Sequence, residues 1–234
     1  MDNSMRKKSK KKIIIGVSGL IAGIIICVLI TAMIISQIRT RIIWTDYSSI
    51  YSNENYRESV YIDNVAVIKQ DVSCGYAVLE MFAAWTGQNI TEESLYDEYG
   101  KVVTSTGQAF CDEMNKQFPN YHTTMQKYLT NTELIDRVYD NLSKGIPVPF
   151  EWAAKHDNEW TLHYSLITGI DIPNDKILIA NPYGYYEEIS IKEFLERTSF
   201  KAYSDMPFYF RLAFAFGIFE KNTIFTVEEI NISI

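Results

Sequence analysis

The sequence predicts an α+β domain carried behind one membrane-spanning helix, and three stretches lead to that expectation. Ile13 to Ile35 is a run of 23 residues without a charge. At the helical rise it spans roughly 35 Å, against a bilayer core of about 30 Å. Between Gln70 and Gly145, apolar residues recur at helical spacing behind Ser, Thr and Asn capping candidates. From Ile146 onward, prolines, short apolar runs and turn residues read mainly as sheet. A helical N-terminal part packed on a C-terminal antiparallel sheet is the architecture that follows.

Residues 1–12 read as a basic tail, 13–36 as the membrane helix, 37–59 as a polar tether without sustained periodicity, and 60–234 as the domain. Positive charge is denser in Arg6 to Lys12 than at Arg39 and Arg41 after the apolar run. The positive-inside rule therefore puts the N-terminus in the cytoplasm and the domain outside. A cleaved signal peptide would have a shorter apolar region, about 7 to 15 residues, and a small-residue cleavage site. The run reads instead as a signal anchor holding the chain in a lipid bilayer. Gly19 and Gly23 have the GxxxG spacing, but glycine is common in membrane helices, so the spacing argues little for dimerisation.

Val60 to Ile68 alternates and reads as an extended approach to Gln70-Asp71-Val72-Ser73-Cys74-Gly75. Val78, Met81, Phe82 and Trp85 then mark one apolar helix face, with Ser73 or Asp71 as cap and Gly87 as the left-handed stop. Thr91 starts a helix running to about Tyr99, and Gly107 to Phe118 forms another. Asn131 is the expected cap of a third, in which Leu134, Val138 and Leu142 repeat until Gly145. Two prolines make Ile146 to Phe150 extended and favour an edge strand. Leu162 to Ile170 and Lys176 to Asn181 are strands around Pro173-Asn174-Asp175, and Ile191 to Arg197 is a brief helix. Pro207 to Phe219 is too short for a second span and reads as a closing strand.

Composition excludes several functions. The net charge of −7 hides an asymmetry, because six of the 22 basic residues lie in the first twelve positions. The remainder carries 16 basic against 28 acidic residues, a net −12 that argues against nucleic acid as partner. Three scattered cysteines make no disulfide framework, and no CxxC pair or His/Cys cluster suggests a metal. No cofactor is implied.

Cys74 begins a helix, where unpaired N–H groups and the macrodipole favour a thiolate, so it is the candidate nucleophile. A capped core helix with a buried cysteine is the plain structural reading of the same stretch. Gln70 offers an amide that can join the Cys74 N–H in an oxyanion hole. His163 is the candidate base and Asn181 its orienting partner. If the loop Asp171 to Asp175 joins the strands symmetrically, His163 faces Tyr183, with Asn181 a diagonal neighbour on the same face. Taken singly, His163 also fits a satisfied strand histidine and Asn181 a turn residue before Pro182. Cys111 sits beside Asp112 and Glu113, which oppose a thiolate, and reads as structural. His156 reads as a solvated loop residue and a second choice of base. Cys27 lies within the membrane run. Glu151, Asp157 and Glu159 read as a solvated face, with a cleft for basic substrates as the alternative.

Gln70, Cys74-Gly75 on a helix, His163 in an apolar strand and Asn181-Pro182 after the next strand resemble, in that order, the papain-like cysteine peptidases. The resemblance is greatest to the bacterial peptidase domains that trim double-glycine leader peptides from bacteriocins, over about Val65 to Tyr183. Leu142-Ser143-Lys144-Gly145-Ile146-Pro147-Val148 is similar to the segment such domains place before their sheet. The resemblance implies a papain-like fold and a peptide or protein substrate. It also implies Cys74 as nucleophile, His163 as base, Asn181 as orienting residue and Gln70 as oxyanion donor. Those domains usually carry Asp before the proline, where this chain has Asn, and are commonly fused to an ATP-driven exporter, of which this sequence shows no phosphate-binding glycine loop. The same triad would also serve a cell-wall peptide amidase or an acyl transferase, and an idle domain that binds a peptide is the reading from another class.

Overall fold

The structure is a computed structural model that describes residues 3–44, 47–100, 104, 106–156, 158–200 and 206–230. Helix α1 (Asn3–Trp44) contains Ile15–Ile35, with a mean hydropathy of 2.7, long and apolar enough to cross a membrane. Its side chains there are almost all exposed rather than packed into a core.

The stretch expected to be a plain tether is partly folded. It contains α2 (Tyr47–Tyr51) and a 3-10 turn at Glu54–Tyr56, capped by the Asn53 side chain. Ile50 and Tyr56 are buried with Leu134, Ile135 and Val138. Tyr51 Oη donates to Asp175 Oδ1 at 2.7 Å, and Tyr139 Oη to the Glu58 carbonyl at 3.0 Å. Two isolated apolar residues carry no period, which is why the sequence pattern does not reveal this docking.

The domain is a seven-stranded antiparallel sheet with helices on both faces. The strands are β1 (Val60–Tyr61), β2 (Tyr121–Gln126), β3 (Val148–His156), β4 (Glu159–Asp171), β5 (Lys176–Asn181), β6 (Tyr185–Ile189) and β7 (Ile224–Glu229). Their order is β2-β7-β3-β4-β5-β6, with β1 also paired to β4. Helices α3 (Cys74–Thr86), α4 (Glu92–Tyr99) and α5 (Gly107–Gln117) belong to one core, where Phe82, Phe110 and Met114 meet Tyr164, Leu166 and Phe225. Helices α6 (Asn131–Ser143) and α7 (Ile191–Thr198) belong to the other, where Leu134, Val138 and Phe194 meet Phe150, Trp152, Ile167 and Ile179.

The local signals land closely. Ser73 caps α3 and Gly87 ends it at φ 75°. Thr91 and Ser94 form a reciprocal capping box on α4. The cap of α6 is Thr130, not Asn131: its hydroxyl accepts from Glu133 N–H while Glu133 returns the bond, so the residue with the reciprocal partner wins.

Three expectations are overturned. Val148 to His156 is an interior strand, not an edge, and His156 ends that strand rather than lying in a loop. Glu151 N–H donates to Thr223 O, so the N–H missing at Pro149, two residues earlier, would also point toward β7. There β3 and β7 pair only at Phe150↔Ile224, and the proline costs no ladder bond. Pro207 to Phe219 is not the closing strand, since it holds α8 (Phe208–Ala215) with Gly217 at φ 70° beyond its end. Proline before and glycine after a short aromatic run are helix punctuation. The closing strand is β7, which pairs along all of β2.

The β4–β5 hairpin sets the geometry that matters most. Near the turn the pairs are Asp171↔Lys176, Ile170↔Ile177 and Gly169↔Leu178. The register then shifts at Thr168, and the next pairs are Ile167↔Ile179 and Leu166↔Ala180. A side chain at Gly169 would run into the Tyr61 ring and crowd Leu178 Cβ at 3.3 Å. Gly169→Val is expected to displace β1 and lower stability by about 1–3 kcal/mol in urea denaturation; an unchanged midpoint would mean that β1 does not hold the bulge.

Candidate active site

The site begins with the loop that leads into α3. The Glu92 carboxylate accepts N–H bonds from Asp71 at 2.7 Å, Val72 at 2.9 Å and Ser73 at 2.5 Å. Glu92 is 5 % exposed, and its own N–H donates to Glu80 Oε2 at 2.7 Å. Three donors from consecutive residues on one buried carboxylate fix the backbone just before Cys74. Gly75 lets that backbone sit against Thr104, whose side chain a Cβ would strike. Gln70 N–H donates to Pro182 O at 2.8 Å, which ties the loop to the end of β5.

The Cys74 thiol lies at the backbone N–H of Tyr164, the residue after His163. The ladder explains why that donor is available. Glu151 N–H points to β7, so the Glu151↔Tyr164 pair is the kind that exchanges no hydrogen bonds, and Tyr164 N–H points toward β5. The β4–β5 pairing ends at Leu166↔Ala180. The first residue of α3 fills the place where the strands part.

His163 and Asn181 are brought together. His163 Nε2 is 3.0 Å from Asn181 Oδ1, which also accepts from Tyr183 N–H at 3.0 Å. Asn181 Nδ2 donates to Glu187 Oε2 at 2.7 Å. With Oδ1 facing the ring, Nε2 carries the proton and Nδ1 keeps its lone pair. The Tyr183 ring stacks on the imidazole at 4.2 Å between centroids. No hydrogen bond joins Cys74 to His163 in this structure; such contacts often tighten only when substrate is bound.

Burial dominates the electrostatics. It pushes the Cys74 thiol up to about 11, against the pull of the N–H groups of Tyr164, Gly75 and Cys74 itself. The same desolvation takes His163 down to about 3, although the bond to Asn181 favours the imidazolium. Burial and the helix terminus thus pull the partly buried Cys74 thiol in opposite directions, with burial the larger effect. A helix N-terminus is worth about 0.3–1 kcal/mol to an anion, less than one pKa unit, and desolvation of a buried group exceeds it.

Beside these residues opens a cleft of about 340 Å³, lined by Gln70, His156, Glu159, Trp160, Tyr183 and Tyr209 among others. Gln70 Oε1 is buried without a hydrogen-bond partner. His156, the alternative base, packs its ring against Tyr183 at 4.7 Å. Glu151 is no solvated residue. It is 2 % exposed, faces the Tyr164 hydroxyl, and is pushed by burial to about 7. Asp157 lies outside the described residues. Cys111 is buried on α5 with Sγ 3.5 Å from Thr123 O, and Cys27 is exposed on α1. Among the described residues no group of His, Cys, Asp or Glu is arranged to hold a metal ion.

A family model described as the Peptidase C39-like family matches residues 62–207. The chain belongs to that family. None of the curated proteins compared with this C39-like chain matches it. Among solved structures, it is similar to a double-glycine motif protease from an AMS/PCAT transporter, determined in complex with the leader peptide. The identity is 14%, the TM-score 0.46, and the match covers 73% of this chain and 99% of that one. Helix α8 lies beyond the segment matched by the family model.

Sequence reasoning missed Glu92 and Glu187, and set Tyr183 opposite His163 without foreseeing that its ring stacks on the imidazole. Glu92 showed only as an acid in a first helical turn, and nothing local announces that its carboxylate reaches back to residues 71–73.

Two outcomes are expected. Glu92→Ala removes the buried acceptor of three N–H groups and should cost about 1–3 kcal/mol in all, since the donors at residues 71–73 are only partly shielded and water can reach them, read as a lower thermal midpoint. Alkylation of Cys74 should be slow at neutral pH, about 100-fold below an ordinary exposed thiol, and should climb tenfold per pH unit toward 11. A plateau below pH 8 would show a preformed thiolate instead.

Proposed function

We propose that the chain is a membrane-anchored cysteine peptidase with its domain on the outer side, using Cys74, His163 and Asn181, with Gln70 as oxyanion donor. The observation that carries the reading is the His163–Asn181 bond at 3.0 Å, in an orientation that leaves Nδ1 free, with the thiol at the neighbouring amide. Membership of a peptidase family supports it.

Thiol and imidazole both start neutral, so proton transfer accompanies attack. As Cys74 Sγ bonds to the substrate carbonyl carbon, its proton passes to His163 Nδ1. The carbonyl oxygen gains charge and is met by the Cys74 N–H and the Gln70 amide, which must turn its Nε2 inward. His163 then protonates the leaving amine, and the thioester is hydrolysed by water that the same imidazole activates. The aromatic walls of the cleft, Trp160, Tyr183 and Tyr209, suit an apolar or aromatic side chain next to the scissile bond.

Membrane anchoring draws support from the exposed apolar stretch Ile15–Ile35 and from α8, which lies against α1 and exposes Phe208 and Tyr209. A second reading, an idle peptide-binding domain, draws on the raised thiol and the missing Cys74–His163 bond.

The full chain in detergent, offered a peptide library with product analysis by mass spectrometry, separates the two. Cys74→Ala and His163→Ala should each lower cleavage by about 10³-fold or more, while His156→Ala changes it by less than about tenfold. Peptide binding with no cleavage by the parent chain would establish the idle reading.

A further inference from the structure

We propose that Glu187 is a positioning residue for the reaction, which sets the tautomer of His163 by fixing the orientation of the Asn181 carboxamide. The proposal rests on the assignment of His163 as base. A carboxamide has an acceptor end and a donor end of nearly the same shape, and rotation by half a turn exchanges them. With Oδ1 toward the ring, His163 carries its proton on Nε2 and presents a lone pair at Nδ1. With Nδ2 toward the ring, the proton moves to Nδ1 and the base is lost. An aspartate at this position would have no such ambiguity.

Two contacts remove it here: Tyr183 N–H donates to Oδ1 at 3.0 Å, and Glu187 takes the donor end, which alone makes the flipped amide face a side-chain acceptor with its oxygen. Its carboxylate is an acceptor only, and Oε2 takes the Asn181 Nδ2 donor at 2.7 Å, on the side away from His163. The other oxygen, Oε1, accepts from Arg197 Nη1 at 2.6 Å. Arg197 is held in turn: Nε donates to Ala153 O at 2.8 Å, the guanidinium stacks 3.6 Å over Trp152, and Nη1 lies 3.4 Å from Glu193 Oε1. The ion-paired side chains are 8 % and 19 % exposed, so neither swings freely into solvent. The negative charge that an aspartate would place against the imidazole is displaced by one hydrogen bond onto β6 and neutralised by α7. Asn181 then passes on the orientation without the charge.

The test compares Glu187→Gln, Asn181→Asp and the double variant with the parent full chain in detergent. The ring ¹⁵N shifts of His163, assigned by loss in His163→Gln, report the tautomer with or without catalysis. The parent is expected to be the Nε2–H form. Glu187→Gln, whose amide can donate toward Asn181, should mix in the Nδ1–H form and lower kcat by about 10- to 100-fold with KM nearly unchanged. Asn181→Asp alone sets two carboxylates in contact and should also lose activity. The double variant should recover the Nε2–H form and most of kcat, because its new carboxylate accepts from His163 and from the new amide, whose oxygen in turn accepts from Arg197. Its acid limb should move to higher pH, since an anion now faces the imidazole. If the Glu187→Gln chain does not fold, Glu187→Ala gives the same tautomer readout. A pure Nε2–H form and kcat within about twofold of the parent in Glu187→Gln or Glu187→Ala would overturn the proposal, as would a double variant no better than the worse single. Absence of cleavage by the parent defeats the peptidase reading alone, because the tautomer readout still decides the role of Glu187.

Discussion

A single extra residue in β4 decides which side chains meet. Between the turn and Gly169, paired residues follow one register; past Thr168 they follow another, offset by one. Side chains alternate across a strand, so an offset of one exchanges the two faces. In the register near the turn, Asn181 would stand opposite Leu166, whose side chain belongs to the α3 core, and His163 would point away from Asn181. After the bulge, His163 and Asn181 share a face and their side chains bond. The expectation of a symmetric hairpin was right in its outcome for the wrong reason. The turn itself is asymmetric, and the bulge compensates for it.

The sheet also separates the two halves of the site. The imidazole and its supports lie on the α6–α7 face, where Trp152, Ile179 and Arg197 surround them. The cysteine arrives from α3, on the other face, at the point where β4 and β5 stop pairing. This arrangement keeps the imidazole dry, and burial favours the neutral form of both groups. In a low-dielectric setting, separated charges are costly, and chemistry that transfers one proton within the pair avoids creating either ion alone.

One buried carboxylate, Glu92, and one partly buried, Glu187, hold this site, and each is satisfied differently. Glu92 accepts three backbone N–H groups and orders the entry to α3. Glu187 bridges Asn181 and Arg197 and belongs to the imidazole side. Removing one partner from either set leaves a polar group with less complete compensation than before, which costs more than the bond contributed. Polar residues in this interior are therefore specified by their partners, much as apolar ones are by shape.

Most of the fold was legible in the sequence because its signals are local. Caps at Ser73 and Thr91, glycines at 87 and 145, the turn at Pro173-Asn174-Asp175 and the charge-free run after Lys12 each act within a few residues, and the structure follows them. The order Gln70, Cys74, His163, Asn181 likewise pointed to the family. What the sequence could not determine depends on residues far apart in the chain. β3 is interior because β7 returns to lie beside it. Glu92 and Glu187 matter through partners on other elements, and the neutrality of Cys74 and His163 arises from desolvation by the assembled domain. Periodicity and capping are properties of a segment; burial, register and the pairing of buried charges exist only once the segments are together.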